Sequence, residues 1–268
     1  MASVSPPDPA GRRPLRLAPF RGLRFAAETV GSLSSVISPP YDVLDADTVR
    51  SLEQANRHNI VRLILSRRYE RPYVAVRERL EAWRDQSYLR ADDEPALYVY
   101  EYTAEQMTVR GLIGAVALRE EEERVILPHE DVMPEPVDDR TVLMRTTRTN
   151  LEPILLVHEG SAELRTLVDG AVAGEPVADF VALDGSAHRL WAVTDPAFHG
   201  EVAAEIAGSQ ALIADGHHRY AAYLALQHHL RGEQTPPRSR RGTSGWPCWS
   251  TRTTRPCGSG RSTARWPR

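Results

Sequence analysis

Apolar and polar positions alternate in short runs along most of the chain, broken by turn residues, with a few stretches of helical period between them. Leu15–Phe25 alternates like a strand broken at Pro19, and Ile37–Leu44 reads as a rigid extended turn whose double proline presents Tyr41 and Asp42. The pattern predicts a helix over Asp47–Arg57 and a strand over Asn59–Leu65. Pro72–Tyr88 is amphipathic, with Val76, Leu80 and Trp83 on one face. A hairpin is predicted from Ala96–Tyr102 and Val109–Leu118, then a short strand over Val125–Glu130 and a helix opened by Asp138, Asp139 and Arg140. Further on come a strand at Glu152–Val157, a helix at Ser161–Val172 and a hairpin from Phe180–Asp184 and His188–Val193. Thr194 or Asp195 then caps a helix with Pro196 in its first turn, running to about Ala207. The mixture of hairpins and helices, with no long alternating parallel pattern, predicts an α+β fold: a mixed sheet with hairpins and flanking helices.

One stretch concentrates candidate chemistry. Ala211–Leu226 reads A-L-I-A-D-G-H-H-R-Y-A-A-Y-L-A-L, an apolar strand, a tight Asp215-Gly216 turn and a segment of helical composition reaching about Arg231. A helix that begins straight after a strand and a glycine turn aims unpaired N–H groups and the positive end of its dipole at one spot, which favours phosphate. Gly216 admits a ligand close to the backbone, and Arg219 is a bidentate partner for phosphate or carboxylate oxygens. Asp215 suits a divalent cation such as Mg²⁺ or can accept a proton, while His217 and His218 exchange protons near neutral pH. The plainer reading is a capping Asp215 followed by solvated histidines. A zinc ion shared by His217 and His218 is disfavoured, because adjacent helical side chains diverge by about 100°.

A second concentration lies between residues 129 and 150, where His129, Glu130, Asp139, Arg140, Arg148 and Asn150 gather. Taken singly, these residues fit an ordinary charged helix face. Together, a carboxylate beside a histidine, with arginines to offset phosphate charge, meets the needs of phosphoryl transfer. Glu130, His129 or His217 would take the proton of an acceptor hydroxyl, and Arg140 and Arg148 would hold phosphates.

Composition narrows the classes. The 268 residues are 41% hydrophobic and 26% charged, as in a globular protein of one or two domains. No apolar run reaches membrane-spanning length and no signal-peptide layout opens the chain, so a cytoplasmic location without membrane association is expected. All 33 basic residues are arginine, which rules out a Schiff-base or P-loop lysine. Cys248 and Cys257 are the only cysteines, so no thiol chemistry is expected before them.

The two ends of the chain read differently from its middle. Residues 1–14 are proline-rich and expected to be disordered, and 15–235 to form the α+β domain. From Arg238 onward there are eight arginines, no acidic residue and no Ile, Leu, Val, Met, Phe or Tyr, leaving 25 basic against 36 acidic residues in front. Such a tail, 236–268, is expected to be disordered, and nucleic acid is a less favoured partner for it than solvent. Read from the third base of each codon, with GC-rich third positions, the tail becomes roughly D-F-G-L-A-L-L-V-D-A-H-D-P-P-L-R-V-G-A-I-H-R-T-V-A, two strands and a turn. The expectation is therefore a longer protein whose reading frame shifts after about Gln234.

Seven motifs in order carry a family resemblance: P-F-R-G-L-R-F (19–25), S-P-P-Y-D-V (38–43), N-I-V-R-L-I-L (59–65), A-L-Y-V-Y-E-Y (96–102), V-I-L-P-H-E (125–130), T-R-T-N-L-E-P-I (147–154) and A-D-G-H-H-R-Y (214–220). Together they resemble the prokaryotic family catalogued as domain of unknown function 1015, from about Pro19 to Leu230. The D-G-H-H-R segment also resembles the phosphate-binding strand-turn-helix unit of the ParB/sulfiredoxin superfamily. That resemblance implies nucleotide phosphates at Asp215, Gly216, His217, His218 and Arg219, and in some members phosphorylation of free serine. The combined expectation is a phosphotransferase acting on a small hydroxyl compound, with a nucleotide or pyrophosphate donor and Mg²⁺. A ParB-like nucleotide-dependent module without turnover and a metal-dependent hydrolase are the alternatives.

Overall fold

The computed structural model describes residues 13–65, 72–232 and, as backbone, 248–253. The stretch read as one domain supplies two compact units, one from residues up to Arg24 and from Ala91–Thr254, the other from Phe25–Arg90. The chain leaves the first unit through β2 (Leu23–Phe25), after β1 (Leu17–Ala18), and returns through β3 (Leu89–Ala91).

The smaller unit is helical: α1 (Ala27–Val30), α2 (Ala46–Ala55), α3 (Val61–Ile64) and α4 (Pro72–Asp85). Asp45 caps α2 by accepting the Thr48 N–H at 2.7 Å. Val76, Leu80 and Trp83 of α4 are buried as the helical period predicts. The strand expected over Asn59–Leu65 is instead a helical turn. Asn59 decides it: its Oδ1 accepts from Val61 N, its Nδ2 donates to Ser35 O and Ile37 O, and the local bonds leave no backbone for a ladder. Val61, Leu63 and Ile64 are buried all the same, so the apolar run supplies core in the wrong period for a strand. Tyr41 and Asp42 lie in a 3₁₀ turn of this unit.

The larger unit is built on one mixed sheet. Its strands are β4 (Leu97–Ala104), β5 (Met107–Val116), β6 (Ile126–Leu127), β7 (Ile154–His158), β8 (Ala178–Val181), β9 (Ala187–Val193), β10 (Ala211–Asp215) and β11 (Cys248–Thr253). They lie in the order β6-β10-β7-β11-β5-β4-β9-β8, with β1 also paired to β5. β10 runs parallel to β6 and β11 parallel to β7, and the other neighbours are antiparallel. The fold is α+β, as the pattern predicts. Six residues of the tail expected to be disordered form β11, in the middle of the sheet; the rest of that tail, and residues 1–12, lie outside the described residues.

Four helices complete the unit: α5 (Pro134–Thr147), α6 (Ala162–Ala171), α7 (Pro196–Ile206) and α8 (His217–Leu230). α5 packs on α8 and α6 on α7. Ile154 and Leu156 of β7, Ile126 of β6, Ile213 of β10 and Val202 and Ile206 of α7 are nearly inaccessible and share one core. α5 starts at Pro134, four residues before the expected Asp138, because a proline with no N–H to lose is well placed in the first turn. Of the two expected caps, Thr194 and Asp195, it is Asp195 that caps α7, accepting the Ala197 N–H at 2.9 Å.

Candidate functional site

The parallel pairing of β6 with β10 puts the C-terminal ends of two strands side by side, and each leads into a helix. β10 turns into α8 over one residue. Gly216 adopts φ 94°, ψ 32°, left-handed backbone that a β-carbon strains, and no side chain caps the helix. A Cβ at this position would also lie 2.8 Å from Ile154 Cγ2, so glycine is required twice over. The first bond of the helix is Tyr220 N to Gly216 O at 2.8 Å. The N–H groups of His217, His218 and Arg219 precede that bond and, among the described residues, have no backbone acceptor.

β6 reaches α5 more slowly, through residues 128–133, and this loop folds over the mouth of α8. His129 Nδ1 lies 2.6 Å from Ile213 O, so Nδ1 carries the hydrogen and Nε2 keeps its lone pair. The His129 backbone N–H donates to His217 Nε2 at 3.3 Å, which leaves the hydrogen of the neutral His217 ring on Nδ1, 2.8 Å from Glu130 Oε1. The two imidazoles meet edge to face with centroids 4.4 Å apart. His217 is only 3% exposed, and that burial holds its pKa below the ordinary histidine value, against the opposing pull of Glu130. His218 points to the other end of the loop, where its Nε2 accepts from Met133 N at 3.1 Å.

The arginines are committed in different degrees. Arg219 is buried, with Nη2 2.6 Å from Asp215 Oδ2 and Nη1 donating to Pro153 O. Its Nε is buried without an acceptor among the described residues and lies beside Gly216. A free guanidinium fork at the mouth, as the sequence suggested, is therefore replaced by one that braces Asp215 and Pro153 O and keeps its Nε–H uncommitted. Asp215 keeps half of its side chain exposed. Arg140 is buried in α5 between Asp139 Oδ2 at 2.5 Å and Glu152 Oε2 at 3.1 Å, away from solvent. Arg148 caps the other end of α5 with φ 53°, exposed, a helix of 14 residues or about 20 Å from Met133.

The structure thus gathers His129, Glu130, Asp215, Gly216, His217, His218 and Arg219 at one mouth, and leaves Arg140 and Arg148 on the body and far end of α5. Sequence reading missed Ile213 O, which fixes the His129 tautomer, and Ile154, which enforces glycine at 216. Neither carries a signal in one dimension. It also missed a chain in the β8–β9 turn, where Tyr100 Oη donates to His188 Nδ1 at 2.7 Å and His188 Nε2 meets Ser186 Oγ at 2.8 Å. Ser186 Oγ is in turn bonded to Asp184 Oδ1. Because that serine donates to the carboxylate, it cannot also donate to the histidine, and the chain lacks the polarity of a nucleophilic serine.

A family model described as protein of unknown function (DUF1015) matches residues 17–246. No curated protein and no solved structure matches the chain. No described helix is long and apolar enough to cross a membrane.

Proposed function

The chain belongs to the DUF1015 family, and we propose that it binds a phosphorylated small molecule at the mouth of α8 and transfers a phosphoryl group to a small hydroxyl compound such as serine. One observation carries the reading: three unpaired first-turn amides and the buried Arg219 Nε–H surround Gly216, directly beside His129, whose Nε2 lone pair is kept bare by Ile213 O. The amides and the helix dipole would hold donor phosphates of a nucleotide or pyrophosphate. Arg219 would act mainly by steadying Asp215, whose exposed carboxylate edge suits Mg²⁺ carried in with the donor. His129 Nε2 and Glu130 would accept the hydroxyl proton, with His217 holding both in place.

Calorimetry of the full chain with pyrophosphate, ATP and ADP, followed by phosphorylation of free serine, tests this. Binding with turnover supports the proposal. Binding without turnover turns the reading toward a ParB-like nucleotide-dependent module, and no binding of any of the three removes both.

We also propose that the reading frame shifts after about Gln234. In support, Ser250 and Arg252 stand in register with Ile154 and Leu156, two fully buried residues, in the central slot of the sheet. The alternative frame offers apolar residues there. A gene sequence without that alternative reading would sink the idea.

A further inference from the structure

Adjacent histidines on α8 diverge, but the parallel β6–β10 pairing brings a different pair together across 88 residues of chain. One ligand atom from each of His129, Glu130 and His217 lies within 4.8 Å of the other two. Two imidazoles and a carboxylate are the donors of many catalytic zinc and other transition-metal sites, whereas Mg²⁺ prefers oxygen alone. A second feature is independent of this proximity. His129 donates Nδ1–H to a backbone carbonyl, the outer bond that a metal-ligating histidine characteristically makes and that presents Nε2 to the ion.

We propose that His129 Nε2, Glu130 and His217 Nδ1 form a site for a divalent transition-metal ion of the zinc type. The ion takes the place of the proton between His217 Nδ1 and Glu130 Oε1, which stand 2.8 Å apart. They must separate to about 3.3–3.6 Å for two tetrahedral bonds of about 2.0–2.2 Å, a movement the exposed Glu130 side chain can make. His217 keeps its single hydrogen, now on Nε2. The contact that gives way is the 3.3 Å bond from His129 N, made by an exposed loop. Three protein ligands leave a coordination position open beside the α8 amides, where a metal-bound oxygen of substrate or water would lose its proton more readily. The ion deepens the reading of this mouth as a phosphate site: with it bound, His129 and Glu130 are ligands and no longer take the hydroxyl proton themselves, which the ion instead makes acidic enough to pass to solvent. Its own binding does not require a phosphate.

The test uses the full chain stripped with a chelator. Zn²⁺ and Mg²⁺ are titrated in parallel by calorimetry, and Co²⁺ is followed by its visible absorption. One Zn²⁺ or Co²⁺ per chain is expected, with no comparable Mg²⁺ binding. His129→Ala and Glu130→Gln should each weaken Co²⁺ binding by about tenfold or more, while His229→Gln on the exposed end of α8 leaves it unchanged. Glu130 is more than half exposed, so its variant keeps the fold that circular dichroism would verify. Absent Co²⁺ binding, Mg²⁺ binding as tight as Zn²⁺, or a Co²⁺ spectrum surviving in both site variants would overturn the proposal; the last outcome would move the ion to Cys248, Cys257 or another histidine. Pyrophosphate calorimetry with chelator present separates the two readings. Pyrophosphate bound without metal, and no metal bound, leaves the phosphate mouth standing alone; metal bound without pyrophosphate does the reverse.

Discussion

The two strand-to-helix junctions at the β6–β10 edge start from neighbouring parallel strands and end differently. β10 enters α8 in one glycine step and presents bare amides, with its side chains packed behind them. β6 enters α5 through six residues, and α5 opens with Pro134, Glu135 and Pro136, two of which have no N–H to present. One junction therefore supplies main-chain donors and the other supplies side-chain acceptors, His129 and Glu130. A single junction would have to expose amides and position a loop at once, and the short turn that does the first excludes the second.

The sharpest way to break this division is to remove the acceptor side alone. His129→Ala should lower phosphoryl turnover by about 10²–10⁴, the usual contribution of a positioned proton acceptor, while pyrophosphate binding persists. Loss of binding and turnover in equal measure would show that the loop and the amides do not divide the work.

Next in size is the ion pair that holds α5. Arg140→Leu removes the 3.1 Å contact to Glu152 from a site only 7% exposed on the arginine side, and should cost about 3 kcal/mol in urea unfolding. Arg148→Ala, at an exposed position, should stay within about 0.5 kcal/mol. Equal effects would contradict the assignment of Arg140 to the frame of the junction.

Gly216→Ala addresses the other side. The new Cβ meets Ile154 Cγ2 at 2.8 Å on left-handed backbone, so a loss of about 2 kcal/mol is expected, together with weaker pyrophosphate binding because the amides must shift. Unchanged stability would mean that the turn is not held against β7.

The mildest effect is on pH. Burial lowers the pKa of His58 and of His188, with Arg57 and Arg62 adding to the shift at His58 and Asp184 opposing it at His188. Below about 6.5 the unfolded chain binds protons that the folded state resists. Stability should be level above that value and decline as pH falls from about 6.5 through the lowered folded values. A urea midpoint as high at about pH 5 as at about pH 7.5 would remove these two histidines from the balance, and His188→Gln should flatten part of the slope.

The hairpin strands, the capped α7, the apolar face of α4 and the strand–glycine–helix unit at 211–230 were legible because each rests on near neighbours: period, cap and turn chemistry. Asn59–Leu65 was not, since its apolar run suits strand and helix alike until Asn59 finds Ser35 and Ile37. Arg219 was readable as a cation near the turn, and its pair with Asp215 four residues back is local, but its bond to Pro153 O depends on β7 lying alongside β10.

By itself the sequence determined the α+β class, the family and the glycine bend before α8, all of which follow from local pattern and motif order. Only the tertiary structure decided that His129 and Glu130 face His217, and that Arg140 and Arg148 do not. The physical reason is that their meeting is set by parallel pairing of two short strands far apart in the chain, a long-range hydrogen-bonded register that no local periodicity encodes.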